Sequence, residues 1–145
     1  GDVGDKIGPH MAAIWDNFSF VMNQYNEGTK EREKIEGFKE KGKFSVLPLA
    51  YIRGRSLSKV ILIVDESQNL TPIEVKTIVT RAGEGTKIIF TGDVQQIDTP
   101  YLNESSNGLS YLIDKMRRNR IKFFAHVNLK KGERSPMAEI AANVL

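Results

Sequence analysis

The chain has 145 residues, of which 40% are hydrophobic and 27% charged, and its formal net charge is +3. This length allows one domain with a proper core and is too short for two comfortable ones. No apolar run reaches the length of a membrane span, so no membrane partner is expected. The absence of cysteine excludes disulfides and thiolate metal sites, and it fits a reducing compartment such as the cytoplasm.

Residues 1–43 are predicted to form a helical and charged opening segment. Hydrophobic side chains recur every three or four positions across residues 11–22, which predicts an amphipathic helix over residues 9–26 that begins near Pro9. The aromatic side chains of this stripe are expected to pack in a core. Residues 27–42 are almost wholly polar, which predicts an exposed helix or a flexible insertion.

One stretch, residues 37–44, has the spacing of a phosphate-binding P-loop, Gly-x4-Gly-Lys-Ser/Thr. A P-loop follows a strand and opens a helix, and its Ser or Thr hydroxyl binds magnesium. Here residues 31–36 are charged, Phe44 has no hydroxyl, and residues 44–49 are predicted to be a strand. The match is therefore interpreted as a coincidence of composition.

The apolar run at residues 60–64 is followed directly by two acids, Asp65 and Glu66. Such a run predicts a central parallel strand that is buried on both faces. The acids would then lie at the carboxyl edge of the sheet, where open α/β sheets bind ligands. A nucleotide hydrolase needs one carboxylate near magnesium and another near the attacking water. Taken alone, the pattern fits an ordinary acidic turn equally well.

A second predicted strand, residues 87–90, runs into the sequence Thr-Gly-Asp-Val-Gln-Gln. Two strands that end side by side in these two motifs are a more specific signal of a nucleotide site than either motif alone. A glutamine at such a position can hydrogen-bond a terminal phosphate or orient a water. Asp93 has two open interpretations, a part in binding or a structural role in holding its own loop. The polar residues of this loop are Gly92, Asp93, Gln95 and Gln96.

Helices alternate with these strands. A helix over residues 71–82 has an N-cap, a first-turn proline and a capping-box glutamate, and another helix is predicted near residues 107–118. A third strand, residues 122–129, precedes a further helix start at residues 135–136. This alternation predicts an α/β fold over residues 44–145, with a parallel β-sheet flanked by helices and right-handed crossovers.

The two strand-end motifs resemble motifs II and III of superfamily 1 helicase-like ATPases. Five motifs then follow in the order seen in PhoH-like proteins, which are ATPases named for phosphate-starvation induction, and the first six residues resemble their Gly-Asp-rich segment. The resemblance covers nearly the whole chain, and it is strongest to the branch that carries an upstream PIN-type nuclease domain. The five motifs occupy residues 53–55, 65–69, 80–83, 91–98 and 132–135.

The resemblance implies a RecA-like P-loop NTPase fold of which the chain is the later part, with the P-loop strand and helix missing. It also implies ATP and Mg²⁺ as cofactors, RNA as a partner and a homo-oligomeric ring as the state of the parent protein. The chain alone is then expected to be inactive, because it lacks the phosphate cradle.

The same resemblance gives roles to individual residues. Asp65 would hold magnesium through water, Glu66 would polarise the attacking water, and Gln96 would sense the terminal phosphate, with Gln95 as the second candidate. Arg134 corresponds to the arginine that contacts the terminal phosphate in related ATPases, although a capping ion pair remains an alternative. The nucleotide-binding residues implied are Asp65, Gly92, Asp93, Gln95, Gln96 and Arg134.

Three features leave alternatives open. Arg53 and Arg55 are candidates for contacts with RNA phosphates, or they are structural. A metal-dependent nuclease would use Asp65, Glu66, Asp93 and Asp98 as a carboxylate cluster. A non-catalytic RNA-binding module is the third class, and the basic residues at 115–122 fit either RNA binding or a solvated helix end.

Overall fold

A computed structural model describes residues 3–130 together with Met137, Ile140 and Val144, and of residues 3–11, 13, 39 and 40 it describes only the backbone. The chain divides into two compact units, a first unit of residues 1–56 and a second unit of residues 57–145. Arg134 and the predicted helix start at residues 135–136 lie outside the described residues. The predicted single ATPase domain, with an opening segment that ends at residue 43, stays a prediction.

The first unit contains two helices, α1 (Val3–Met22) and α2 (Lys30–Glu40). The predicted start of α1 at Pro9 is wrong, because the helix runs through this proline from Val3. The Pro9 nitrogen has no hydrogen to donate, so the helix continues through this residue with one i→i−4 hydrogen bond fewer. The aromatic stripe packs as expected, since the Trp15 and Phe18 ring centroids lie 5.7 and 5.1 Å from that of Phe44, although all three side chains are only half-buried.

The predicted strand over residues 44–49 is wrong. Residues 43–48 have no regular structure, and a short 3-10 helix, Leu49–Tyr51, follows them. A strand needs a neighbour for its backbone N–H and C=O groups, and no described segment pairs with this one. Gly37 lies inside α2, so the P-loop-like spacing begins within a helix rather than after a strand.

The second unit is built on a two-stranded parallel sheet. Strand β1 (Ile61–Val64) pairs with β2 (Lys87–Phe90), with Ile61 opposite Lys87 and Val64 opposite Phe90. Both strands and their parallel pairing were predicted and are confirmed. The chain is therefore an α/β protein with a small sheet in the part that the structure describes.

The expectation that β1 is buried on both faces is wrong. Its exposure alternates, with Ile61 69% and Ile63 60% exposed, while Leu62 and Val64 are half-buried. Ile61 and Ile63 therefore lie on the open face of β1, and Leu62 and Val64 lie on its more covered face. Two helices of this unit, α3 (Pro72–Val79) and α4 (Gly108–Arg118), pack against each other.

Helices α3 and α4 confirm two predicted elements and carry the core of the second unit. Thr71 caps α3 in a capping box with Glu74, as predicted, and Asn107 caps α4. Side chains three residues apart on each helix face inward, which is the spacing of one helix face. The buried apolar residues of these helices are Val75, Ile78, Leu109 and Leu112.

The predicted third strand, residues 122–129, is wrong. Residues 122 and 123 form a turn, and no regular structure follows up to Lys130. Phe123 and Leu129 are 93% and 85% exposed, and no described strand lies beside this segment. The predicted strand therefore has no partner among residues 3–130.

Candidate functional site

The loops that follow β1 and β2 are bound directly to each other. Thr91 N donates to Val64 O at 2.9 Å, which extends the strand pairing by one residue. The buried Ser67 then donates twice to Thr91 O, from its backbone N at 2.9 Å and from its Oγ at 2.7 Å. The expectation that the two strand ends lie side by side is confirmed, and we call these loops the strand-end junction (residues 65–69 and 91–98).

Asp65 is exposed at the start of this junction. Its Oδ1 accepts hydrogen bonds from Thr91 Oγ1 at 2.6 Å and from Glu66 N at 3.0 Å. Its Oδ2 receives no hydrogen bond from any described residue. A fixed carboxylate with one open oxygen has the donor chemistry that Mg²⁺ prefers, so the residue present fits the implied metal.

Glu66 has a left-handed backbone, with φ 51° and ψ 36°. This conformation costs a residue with a side chain about 1–3 kcal/mol and is common at functional sites. Glu66 Oε2 accepts a hydrogen bond from Gln68 Nε2 at 2.6 Å, and the side chain is otherwise exposed. The two adjacent acids therefore have different partners, whereas their separate chemical roles remain predictions.

Asp93 holds the second loop together. Its Oδ1 accepts from Gln95 N at 3.0 Å, and its Oδ2 accepts from Gln96 Nε2 at 2.6 Å. These are the contacts of the structural role that was left open for Asp93. The Gln96 amide is exposed at the junction, but it is bound to Asp93, and its predicted phosphate contact remains untested.

Sequence reasoning missed the residue at the centre of the junction, Gln68, whose exposure is 0%. Its Nε2 donates to Glu66 Oε2 and, at 2.9 Å, to Gln96 O, while its Oε1 accepts from Asp93 N at 3.1 Å. A side chain at Gly92 would clash with Gln68 Oε1, so this glycine leaves the space that the amide occupies. The sequence signals were its place in the motif at residues 65–69 and an amide two residues after an acid, and neither of them reveals burial.

Asn69 forms a second connection that the sequence did not reveal. Its Oδ1 accepts from Asp98 N at 2.8 Å and from Thr99 N at 3.1 Å, and its backbone O accepts from Thr99 Oγ1 at 2.9 Å. The far end of the second loop is therefore bound to the first loop as well. Asp98, which the nuclease hypothesis used as a metal ligand, takes part here through its backbone.

Three predicted site residues do not belong to the described part of the second unit. Arg53 and Arg55 are exposed and belong to the first unit, and Arg134 lies outside the described residues. Across the part of the chain that the structure describes, no three acidic or histidine side chains lie close enough to hold one metal ion. The nuclease hypothesis, which needs a carboxylate cluster, therefore gains no support from this geometry.

The basic residues at the end of α4 have ordinary surface contacts. Arg118 Nε lies 2.6 Å from Asp114 Oδ1, four residues away on the same helix, and Lys115 Nζ lies 5.6 Å from the Tyr111 ring centroid. These contacts agree with a solvated helix end, where cations are favoured by the helix dipole. No helix among the described residues combines the length and apolar content that crossing a bilayer requires.

Comparison with known proteins places these motifs in a family. The PhoH-like protein family matches the chain over residues 1–145. Protein PhoH2 of Bacillus subtilis (strain 168) is 43% identical over 145 residues, which are 100% of this chain and 31% of that protein. A PhoH-like protein of Synechocystis sp. is 36% identical over 140 residues, which are 96% of this chain and 39% of that protein. Protein PhoH2 of Mycolicibacterium smegmatis is 33% identical over 145 residues, which are 100% of this chain and 31% of that protein.

The chain thus spans about a third of the length of these curated relatives, with 31% and 39% as the two extremes quoted. The similarity reaches both strand-end motifs, because the matched region includes the whole chain. The chain therefore belongs to the PhoH-like protein family.

Proposed function

We propose that this chain is the hydrolytic part of a magnesium-dependent, RNA-linked ATPase. Membership of the PhoH-like family and the parallel α/β arrangement support this proposal. The complete fold is then of the RecA-like P-loop type, and the P-loop strand and helix belong to other parts of the parent protein. An upstream PIN-type nuclease domain in the parent is part of the same proposal.

The observation that carries the proposal is the pair of exposed carboxylates at the strand-end junction. Asp65 and Glu66 are adjacent in sequence, yet each is anchored through one oxygen by a different partner, Thr91 or Gln68. Each carboxylate retains one oxygen that no described residue binds. Two fixed and separately oriented acids are what a hydrolase needs to hold a metal and to accept a proton from water.

We assign roles to the junction residues on this basis. Asp65 holds the magnesium ion through a water ligand, and magnesium when bound neutralises charge on the phosphates. Glu66 accepts a proton from the attacking water through its open oxygen. Gln96 hydrogen-bonds the terminal phosphate after leaving Asp93, with Gln95 beside it as the second candidate. The backbone of Gly92 and Asp93 lines the same position.

Residues away from the junction complete the proposal. Arg134 supplies a positive charge to the terminal phosphate, and its planar fork suits two phosphate oxygens at once. Arg53 and Arg55 are exposed, and we assign to them contacts with RNA phosphates. The parent assembles as a homo-oligomeric ring. A non-catalytic RNA-binding module is the second candidate, and RNA binding without ATP turnover in the full-length parent would favour it.

The missing P-loop leads to a direct expectation for the chain itself. Backbone amides and a lysine of a P-loop supply most of the phosphate affinity in such sites. Residues 1–145 alone should therefore bind ATP weakly and hydrolyse essentially none. Calorimetry with magnesium and ATP that shows micromolar binding to this chain would contradict the expectation.

The proposal is tested in a full-length parent that carries a P-loop. Asp65→Asn should weaken ATP binding in the presence of magnesium and leave binding without magnesium near the wild-type value, because the amide is a poorer partner for a hard cation. Titration of ATP with and without magnesium measures both. Equal affinities for the variant and the wild type in magnesium would remove Asp65 from the metal site.

A further inference from the structure

Resting on the proposed hydrolysis, we infer that Gln68 is a positioning residue that fixes Glu66 and connects it to the loop of Gln96. Gln68 is fully buried, although a glutamine is usually an exposed residue. A buried amide is stable only when its donors and acceptor are satisfied. The identity of its three partners therefore shows what the side chain does.

All three partners belong to the residues proposed for chemistry. The two hydrogens of Gln68 Nε2 are directed to Glu66 Oε2 at 2.6 Å and to Gln96 O at 2.9 Å. The Gln68 Oε1 accepts from Asp93 N at 3.1 Å. One side chain thus binds the proposed base, the backbone of the proposed phosphate sensor, and the residue that holds that sensor.

The orientation of the amide is fixed by its surroundings. Exchanging its O and N atoms would direct Oε1 at a carboxylate and a carbonyl, which are both acceptors, and would direct the NH₂ group at an N–H donor. All three contacts would become repulsive. Gln68 therefore has one satisfied orientation, and the Glu66 carboxylate is held by a directed donor rather than by general packing.

This contact also explains the conformation of Glu66. Its left-handed backbone is unfavourable for a glutamate, and such residues persist where the surrounding structure determines them. Gln68 binds the side chain of Glu66 from two residues further along the same turn, while the amide is itself fixed to a loop 25–28 residues away. A shift of the second loop is therefore transmitted to the carboxylate through one rigid group.

The test compares Gln68→Met with Asn107→Ala in the full-length, P-loop-containing parent. Methionine keeps the length of the side chain and removes every hydrogen bond, whereas Asn107 is an equally buried amide with no bond to the junction. Gln68→Met should lower kcat about 10²-fold, which is the scale of a misplaced catalytic group, with KM for ATP near the wild-type value. Asn107→Ala should leave kcat per folded molecule unchanged.

A double variant distinguishes a loss of turnover that acts through Glu66 from a loss caused by general disruption of the fold. If Gln68 acts through Glu66, then Gln68→Met should cause no further loss of turnover once Glu66→Gln is present, because groups that act as a unit are non-additive. A full additional loss in the Glu66→Gln background would overturn the inference, and so would an equal loss of kcat in Asn107→Ala. If Gln68→Met fails to fold, Gln68→Leu is used, since it also removes the donor to Glu66 and places no charge or unpaired polar group in the buried position.

A readout without ATP distinguishes failure of this inference from failure of the proposed function. Hydrogen exchange at the Asp93 amide should be slow in the nucleotide-free parent and in Asn107→Ala, and faster in Gln68→Met. Unchanged exchange in Gln68→Met would show that Gln68 does not fix the second loop, and would overturn the inference. Wild-type turnover in Glu66→Gln alone would instead overturn the proposed function, whatever the exchange result.

Discussion

Gln68 and Asn107 are both fully buried amides of the second unit, but they join different kinds of structure. Asn107 has local partners, since its Oδ1 accepts from Ser110 N at 2.9 Å and its Nδ2 donates to Asn103 O at 2.9 Å. Gln68 instead reaches residues 25 and 28 positions away. Asn107 therefore specifies where one helix begins, whereas Gln68 specifies how two loops meet.

The same contrast appears in two glycines that have no room for a side chain. A Cβ at Gly108 would clash with Val75 Cγ2 and with the backbone oxygens of Leu70 and Thr71, and a Cβ at Gly92 would clash mainly with the end of the Gln68 side chain. Backbone oxygens in a packed unit cannot move aside, whereas the Gln68 amide can move only by breaking its hydrogen bonds to Glu66, Gln96 and Asp93. The helix start is thus constrained by packing, and the strand-end junction is constrained by hydrogen bonds.

Arg134→Ala tests whether a residue outside the strand-end junction contributes to turnover, and its expected effect is the largest of these variants. Arginine in this role typically contributes about 10³–10⁵ in turnover, so kcat of the full-length parent should fall by that order with little change in ATP affinity. Arg134→Lys should restore little, because a point charge cannot reproduce the planar fork. Steady-state kinetics measure both variants, and near-wild-type kcat in Arg134→Ala would assign the residue to a surface ion pair.

Gly108→Ala and Gly92→Ala distinguish the packing constraint on the start of α4 from the hydrogen-bond constraint on the strand-end junction. Gly108→Ala should lower the free energy of unfolding by about 1–3 kcal/mol through overpacking, while kcat per folded molecule stays near that of the wild type. Gly92→Ala should lower the free energy of unfolding by less than Gly108→Ala does. It should also reduce kcat, because it displaces Gln68. Urea unfolding and turnover of the full-length parent test the pair, and equal effects of the two variants on kcat would remove the contrast.

Asn107→Ala should destabilise the parent by about 0.5–2 kcal/mol, the range measured for loss of an N-cap. The buried donors and acceptors left behind are close to the start of α4, so hydrogen exchange should increase in its first turn. The exchange of residues 66–68 should stay unchanged. Faster exchange in both places would mean that the helix start and the junction form one cooperative unit.

Thr71→Ala has the smallest expected effect, about 1 kcal/mol of unfolding free energy. Thr71 Oγ1 accepts from Glu74 N at 3.3 Å, and Glu74 Oε2 accepts from Thr71 N at 2.8 Å, which are the two bonds of the capping box. Thr71→Ser keeps the acceptor and serves as the control, with nearly wild-type stability. A shift in the urea midpoint as large as that of Gly108→Ala would contradict this ranking.

Local sequence signals predicted those parts of the fold that depend on neighbours in the chain. The capping box at Thr71, helix α4 and the short strands β1 and β2 each follow from residues within one element. The predicted strands at residues 44–49 and 122–129 failed because a strand depends on a partner, and the sequence of one segment carries no information about whether a partner is present.

In the candidate site, too, the sequence predicted local features and missed contacts between distant residues. The exposed acids Asp65 and Glu66 were predicted from their position after an apolar run, as was the loop that contains Asp93 and Gln96. Gln68 was not, because its importance lies in burial and in contacts across 25–28 residues. A sequence pattern indicates the chemistry of a side chain, whereas its contacts with residues far away in the sequence are visible only in the folded structure.

The most direct test of the account is single-turnover ATP hydrolysis by Glu66→Gln in the full-length parent that carries a P-loop. Glutamine keeps the shape of the side chain but cannot accept the proton from water, so the rate should fall by about 10²–10⁴ while ATP binding stays nearly intact. Hydrolysis at the wild-type rate would contradict the central claim that the strand-end junction holds the catalytic base.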